Sequence, residues 1–361
     1  MIIRKIKIRE LQDFINSQEY KDLPFVPISH ERAISYINNP RADKDDVAII
    51  MLYKDNNLAA YRTIFADKII SGEKSIKFFR LSGNFVLPEY RRNSFSTILL
   101  QECFKCSNDL LSNSNTSPSS KSVYDKSGMF QELICHSGIR FYTRSILSKL
   151  LPEKKEFFKK TLFALKQVDR FVNFIAKKRI SKISVAKFEN YEIIRKFEND
   201  FFKDFKDFDK NLYKRSEAEF NWILNFPWLN TKKKNEKYNF SSYASFFIYY
   251  PIILKDNSGK KSSFFLIKIR DKNLSIPYVY CNNIQDYKQI ISIIVQLSVV
   301  HEIEYITIYN NLLISELSKI KKLYLYSKEM KESFFVSQEL KKLIENKEFT
   351  VQIGDDDSVF T

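Results

Sequence analysis

The first residues, IIRKIKI over Ile2–Ile8, alternate apolar and charged positions, and from Glu10 to Ser17 the apolar residues recur three and four apart. A strand followed by a helix is expected. A second helix, near Glu31–Ile37, stops at Asn39-Pro40, because the residue before a proline is pushed out of the helical region. Three apolar stretches come next: DVAIIMLYK, LAAYRTIFADKII and KSIKFFRLSGNFVL. They are rich in β-branched and aromatic residues. Asp55-Asn56-Asn57 and Ser71-Gly72-Glu73 separate them, so they predict an antiparallel meander. Beyond Phe95, the residues Ile98, Leu99, Cys103, Cys106 and Leu110 repeat at helical spacing and predict a helix over Thr97–Leu111. SNSNTSPSS reads as a surface loop, Gly128–His136 as a helix ended by Gly138, and GIRFYTRSIL as a strand.

From Pro152 to about Lys178 the pattern is helical and strongly charged, with Phe158, Leu162, Leu165, Val172 and Ile175 as its apolar stripe. After it the plan repeats. SKISVAKF is a strand, and Tyr191–Leu224 is a helical region. SSYASFFIYYPIIL, SSFFLIKIR and LSIPYVYC form a second meander. A helix through Ile290, Ile291, Ile294, Leu297 and Val300 and the strand EYITIYNN follow. The similarity between halves is one of element order, not of sequence. It divides the chain into 1–150, a connecting helix over 151–180, a second domain over 181–353, and an acidic tail over 354–361.

Composition narrows the possibilities. The net charge of +16 suits nucleic acid, anionic membranes or acidic small molecules, but the lysines are scattered and form no long basic arm. The abundance of Lys, Asn, Ile, Phe and Tyr against 6 glycines reads as biased coding composition, which argues against a nucleic-acid partner. Cys103 and Cys106 have CxxC spacing but lie on an apolar helical face with no second ligand pair, so they are expected as core thiols and no metal is expected. Asp355–Asp357 lack the glycine and distal glutamate of a calcium loop and read as a solvated tail. No segment is long and apolar enough to span a bilayer and no signal peptide opens the chain, so a cytoplasmic location is expected.

The chemistry concentrates in VLPEYRRNSFSTILL, from Val86 to Leu100. A strand ends, a proline and two arginines follow, and an apolar helix begins. Helix-start N–H groups lack intrahelical acceptors and the helix dipole favours negative charge there, so the stretch predicts an anion site.

With that order of elements, the first half resembles the GNAT superfamily of acyl-CoA N-acyltransferases. Val86 and Pro88 stand at the family's Val and Pro, Arg91 at its Gln/Arg position, and Ser94 and Ser96 where its two small residues belong. The resemblance implies that Phe85, Val86, Leu87, Arg91, Arg92, Asn93, Ser94, Phe95, Ser96 and Thr97 hold the pyrophosphate and thioester of acetyl-CoA. Ser94 departs from the family's glycine. Ile134 stands where the family often has the tyrosine that protonates the leaving thiolate. Asn84, Tyr124, His136 and Tyr142 are therefore the catalytic candidates. The second half looks similar to the second lobe of tandem and FemABX-type acyltransferases, although NNIQDYKQ after LSIPYVYC carries no phosphate-loop residues. The implied fold is α/β, two GNAT-like lobes, each with a mixed, mainly antiparallel sheet. The implied function is N-acetyl transfer to a small-molecule or peptide amine. The alternative is a catalytically degenerate protein of that fold that binds a CoA-like ligand or a partner.

Overall fold

The structure is a computed structural model and describes all residues except 115–117, 184–190, 235–236 and 346–347. The first half contains β1 (Ile2–Lys7), α1 (Ile8–Asn16), α2 (Gln18–Asp22), α3 (His30–Ile37), β2 (Val47–Lys54), β3 (Asn57–Ser71), β4 (Lys74–Val86), α4 (Phe95–Cys106), β5 (Leu111–Ser114), α5 (Pro118–Ser127) and β6 (Phe130–Tyr142). Helices α6 (Leu147–Lys154), α7 (Phe157–Lys160) and α8 (Leu162–Ile180) connect it to the second half. There follow β7 (Tyr191–Ile193), α9 (Glu217–Asn225), β8 (Phe247–Lys255), β9 (Lys261–Arg270), β10 (Asn273–Cys281), α10 (Asp286–Val300), β11 (Tyr305–Ile308), α11 (Asn311–Ser318), β12 (Tyr326–Ser337) and α12 (Gln338–Leu343).

All the strands join one 12-stranded sheet in the order β1-β2-β3-β4-β5-β12-β6-β11-β10-β9-β8-β7. Each half lays its first five strands inward from its own edge. The sixth strands are exchanged: β12 lies beside β5, and β6 beside β11. The β4–β5 and β10–β11 pairs are parallel, and the other pairs are antiparallel. The long β6–β12 ladder forms the seam, so the lobes are fused through their hydrogen bonds rather than tethered.

Each half also breaks its sheet at the same place. In β4, Ser82 and Gly83 together face Thr63, because Arg62 pairs with Asn84 and Ile64 with Leu81. In β10, Ile276 and Pro277 face Ile267 in the same way. A bulge of this kind bends and twists its strand. Beyond the bulges the parallel partners part: β4 meets β5 only at Phe79 and Arg80, and β10 meets β11 only from Asn273 to Ser275.

One apolar core runs under both halves, from Leu11, Tyr36 and Phe65 to Phe202, Phe220, Trp222, Trp228 and Phe264. On the opposite face α4 covers the first half with Leu99, Leu100 and Cys103, while α10 covers the second with Ile290, Ile291 and Ile294. Packing on both faces explains why β3 is buried at nearly every position and reads as a continuous apolar run.

Several expectations are corrected. The helix expected over Thr97–Leu111 ends at Cys106, and Leu111–Ser114 form β5. Within SNSNTSPSS, Ser112–Ser114 belong to that strand and Pro118 opens α5, while 115–117 lie outside the described residues. Gly128–His136 is not helical. Gly128 takes left-handed geometry after α5, at φ 63, and Phe130–His136 begin the strand β6. Gly138 is a packing position, since a Cβ there would stand 2.5 Å from the Tyr309 ring and 2.7 Å from the Ile308 carbonyl. The helical region expected over Tyr191–Leu224 holds β7, a 3-10 turn at Phe201–Asp204, and helix only from Glu217. Asp200 adopts a left-handed conformation at φ 63, which lets Phe197, Phe201 and Phe202 converge with Phe264. The strand expected over SKISVAKF falls mostly on 184–190, outside the described residues. The expected solvated tail is buried: Asp355, Asp356, Val359 and Phe360 are almost fully shielded.

Candidate active site

After β4, Pro88–Tyr90 make one 3-10 turn and the chain enters α4 through Ser94. Arg92 and Ser94 both adopt the left-handed conformation, at φ 70 and φ 59. That geometry gives a glycine its advantage at position 94. Thr97 N and Ile98 N both donate to the Ser94 carbonyl at 3.0 Å. The Ser94 side chain makes no capping hydrogen bond, so ordinary N-capping does not account for this serine. Arg91 and Arg92 are exposed, and neither is paired with a carboxylate among the described residues. Arg91 Nε reaches the Val86 carbonyl at 3.4 Å.

These groups surround a cavity of about 360 Å³ lined by Asn84, Val86, Arg91, Arg92, Ser94, Phe95, Ser96 and Thr97, with Tyr90 and Val123. Three expected residues lie off it. The Phe85 ring packs against Phe25 and Tyr61, the Leu87 N–H is spent on the Ala59 carbonyl at 3.0 Å, and Asn93 does not line the cavity.

Asn84 also lines a second cavity of about 310 Å³, at the point where β4 leaves β5. Ser82, Gly83, Asn113, Tyr124, Arg32, Trp228 and Asp357 face it. Arg62 Nη1 donates to the Tyr124 hydroxyl at 3.1 Å and Arg62 Nε to Asn84 Oδ1 at 3.3 Å, while Asn84 Nδ2 donates to Ser96 Oγ at 3.3 Å. This chain of contacts fixes Tyr124 and Asn84 relative to the helix start. It leaves the Tyr124 O–H free to donate into the cavity.

The other two catalytic candidates lie elsewhere. His136 sits on β6 opposite Glu332, with its ring edge-on to Phe334, and burial lowers its pKa. Tyr142 stacks on Tyr326 at the far end of β6. Neither lines a cavity beside the loop.

Sequence reading missed Asp357. It accepts a short hydrogen bond from Ser82 Oγ, and burial, reinforced by Asp356, raises its pKa above the usual carboxylate range. It missed equally the network that brings Asp357 there. Asp67 pairs with Arg41 at 2.8 Å, Arg215 at 3.1 Å and Arg80 at 3.2 Å, all almost fully buried. Arg80 Nη2 and Arg215 Nη2 then donate to the Asp355 carbonyl at 2.6 and 3.1 Å. Arginines from both halves thus clamp segment 353–361 against the site. No local signal marks this, since the partners are separated by up to 275 residues.

A third cavity, about 570 Å³, opens at the β10 bulge, lined by Arg140, Lys268, Tyr309, Glu332 and Thr361 among others. Thr361 lines this cavity and the one holding Asp357. Burial raises the Glu332 carboxyl to about 8 and lowers the Lys268 ammonium to about 8. Elsewhere, Cys103 is buried between α4 and the sheet, which pushes its thiol up to about 12. Among the described residues no three His, Cys, Asp or Glu side chains gather as metal ligands, and no helix is long and apolar enough to cross a membrane.

No protein-family model matches the chain, and no curated protein matches it by sequence. Solved structures do. N-myristoyltransferase of Saccharomyces cerevisiae with bound myristoyl-CoA superposes with a TM-score of 0.55 at 10% identity, over 93% of this chain and 82% of that one. A conserved protein of unknown function from Enterococcus faecalis, a probable N-acyltransferase, gives 0.50 at 10% identity, over 93% and 71%. The chain has the GNAT fold. The likeness covers 93% of the chain and so takes in both halves of the 12-stranded sheet.

Proposed function

We propose that the protein is an N-acyltransferase that binds an acyl-CoA, acetyl-CoA in the first instance, with its pyrophosphate in the turn from Arg91 to Thr97. One observation carries the reading. The uncapped, left-handed entry to α4 and two arginines without a carboxylate partner among the described residues surround a cavity that shares the lining residue Asn84 with a second cavity holding a carboxylate of raised pKa. Backbone N–H groups, the helix dipole and guanidinium then act together on phosphate.

The acyl thioester would lie along the free edge of β4 past Arg80, toward the bulge. Asp357 takes the proton as the acceptor nitrogen attacks the thioester carbon, and the burial that raises its pKa makes it a stronger base than an exposed aspartate. The carbon–sulfur bond breaks, and Tyr124 donates a proton to the departing thiolate. Arg62, fully buried, supplies positive charge beside that tyrosine. The second half shapes the acceptor side: an amine held in the 570 Å³ cavity would reach Asp357 past Thr361.

Calorimetric titration of the wild type with acetyl-CoA and a long-chain acyl-CoA tests the donor. Arg91→Ala should weaken binding by about 1–3 kcal/mol, the worth of a charge-assisted contact. With an acceptor found by screening amines for thiol release, Asp357→Asn should lower turnover while leaving donor affinity intact. Absence of any acyl-CoA binding at millimolar ligand would refute catalysis and leave the loop as a relic.

A further inference from the structure

Helix α8 carries apolar residues on two sides. The side fixed to the protein combines Ala176 and Ile180 with polar anchors: Asp169 accepts from Ser145 Oγ at 2.5 Å and from the N–H groups of Leu147 and Ser148 at 2.9 Å. Asn173 exchanges hydrogen bonds with the Ser145 backbone at 2.7 and 3.0 Å, and Arg179 donates to the Tyr324 carbonyl at 2.6 Å. With Ala176 and Ile180, Asp169 is buried against the body. These contacts leave the helix little freedom to roll.

The phenylalanines therefore point outward. Phe163, Phe171 and Phe174 are 76%, 67% and 58% exposed, and Ile175 and Val168 are exposed beside them. At 3.6 residues per turn these five side chains occupy an arc of about 140°. Phe157 of α7 adds a further ring at 66% exposure. Exposed Lys166, Arg170 and Lys177 run along one border of the arc, and exposed Lys178 stacks on the Phe174 ring at 4.4 Å. Across 147–180 there are ten basic residues and three acidic ones.

We propose that α7 and α8 dock the protein on an anionic lipid surface. An outward apolar stripe bordered by lysine and arginine is the pattern of a helix that lies in the membrane interface. The rings would enter the headgroup–acyl boundary while the basic border meets lipid phosphate and carboxylate, each cation strengthening attachment. A protein groove would satisfy the stripe but not the local excess of positive charge, which calls for a broad anionic partner. The attachment is peripheral and does not depend on the acyltransferase reading.

Cosedimentation of the full chain with phosphatidylcholine vesicles and with vesicles that also contain phosphatidylserine tests it. The wild type should pellet with the second kind only, and added salt should release it. The triple variant Phe163→Ser, Phe171→Ser, Phe174→Ser should lose at least about tenfold in affinity. The double variant Lys166→Glu, Arg170→Glu should lose roughly tenfold or more. All these side chains are exposed, so circular dichroism and melting should match the wild type. A wild type that stays in the supernatant with both vesicles at low salt overturns the proposal. So does a triple variant that still binds as the wild type does. A dimer that the triple variant abolishes, with no vesicle binding, would assign the face to a second copy instead.

Discussion

Replacing Asp67 with Asn should unfasten the centre of the molecule. The carboxylate touches Arg41, Arg80 and Arg215 within 3.2 Å, and all four side chains are at most 3% exposed. Asn keeps the shape but removes the charge, leaving Glu219 for Arg41 and Asp355 for Arg215, and no carboxylate for Arg80. Breaking a buried pair by removing one partner costs about 3–5 kcal/mol, because the remaining charge stays desolvated. Against a whole-domain stability of about 5–15 kcal/mol, that is a large fraction. Urea titration followed by tryptophan emission is a suitable assay, because Trp228 stacks on Phe360 of the clamped segment with ring centroids 4.8 Å apart. The midpoint should fall, and the native emission should shift as Phe360 loosens. The three guanidiniums hold Asp67 well below the usual carboxylate range despite its burial. A depressed folded pKa contributes stability in full above the unfolded value of about 3.9, and that stability is lost as pH falls through the folded one. The gap between wild type and Asp67→Asn should be constant from about pH 5 to 8 and shrink in stronger acid. A loss below about 1 kcal/mol with unchanged emission would refute the reasoning.

Three further outcomes are expected. Ser94→Gly should melt at or above the wild-type temperature, since glycine tolerates φ 59 without the roughly 1 kcal/mol cost of a side chain, and should bind acyl-CoA at least as well. Ser94→Leu should melt lower and bind more weakly, because a branched side chain is strained there and crowds the phosphate approach. Glu332→Gln should be more stable than the wild type, by a margin that grows as pH rises from about 4.3 toward 8. The wild type loses stability over that window because its carboxyl ionises in the unfolded chain while burial keeps it protonated in the folded one, and a pH-independent margin in urea titrations would refute this.

The sequence by itself determined what local physics decides. Apolar runs rich in β-branched and aromatic residues, bounded by Asp55-Asn56-Asn57 and Ser71-Gly72-Glu73, are enough to set the first meander, and the same kind of pattern sets β8 to β10. The expectation of an anion loop from Arg91 to Thr97 is likewise local, because proline, arginines, small residues and a following helix lie within one short stretch, and acyl-CoA titration is its test. Tertiary structure decided the rest. Phe130, Leu133 and Ile134 have helical spacing, yet pairing with β12, and farther along with β11, makes Phe130–Tyr142 a strand. The charged stretch YSKEMKESFFVS looks like anything but a central strand, and becomes one because β12 crosses into the first half to close the seam. Asp355–Asp357 look solvated until arginines from positions 41, 80 and 215 converge beneath them. The outward phenylalanines of α8 are a matter of which side Asp169 and Asn173 anchor. Each of these depends on free energy gained between residues far apart in the chain, and no local pattern records it.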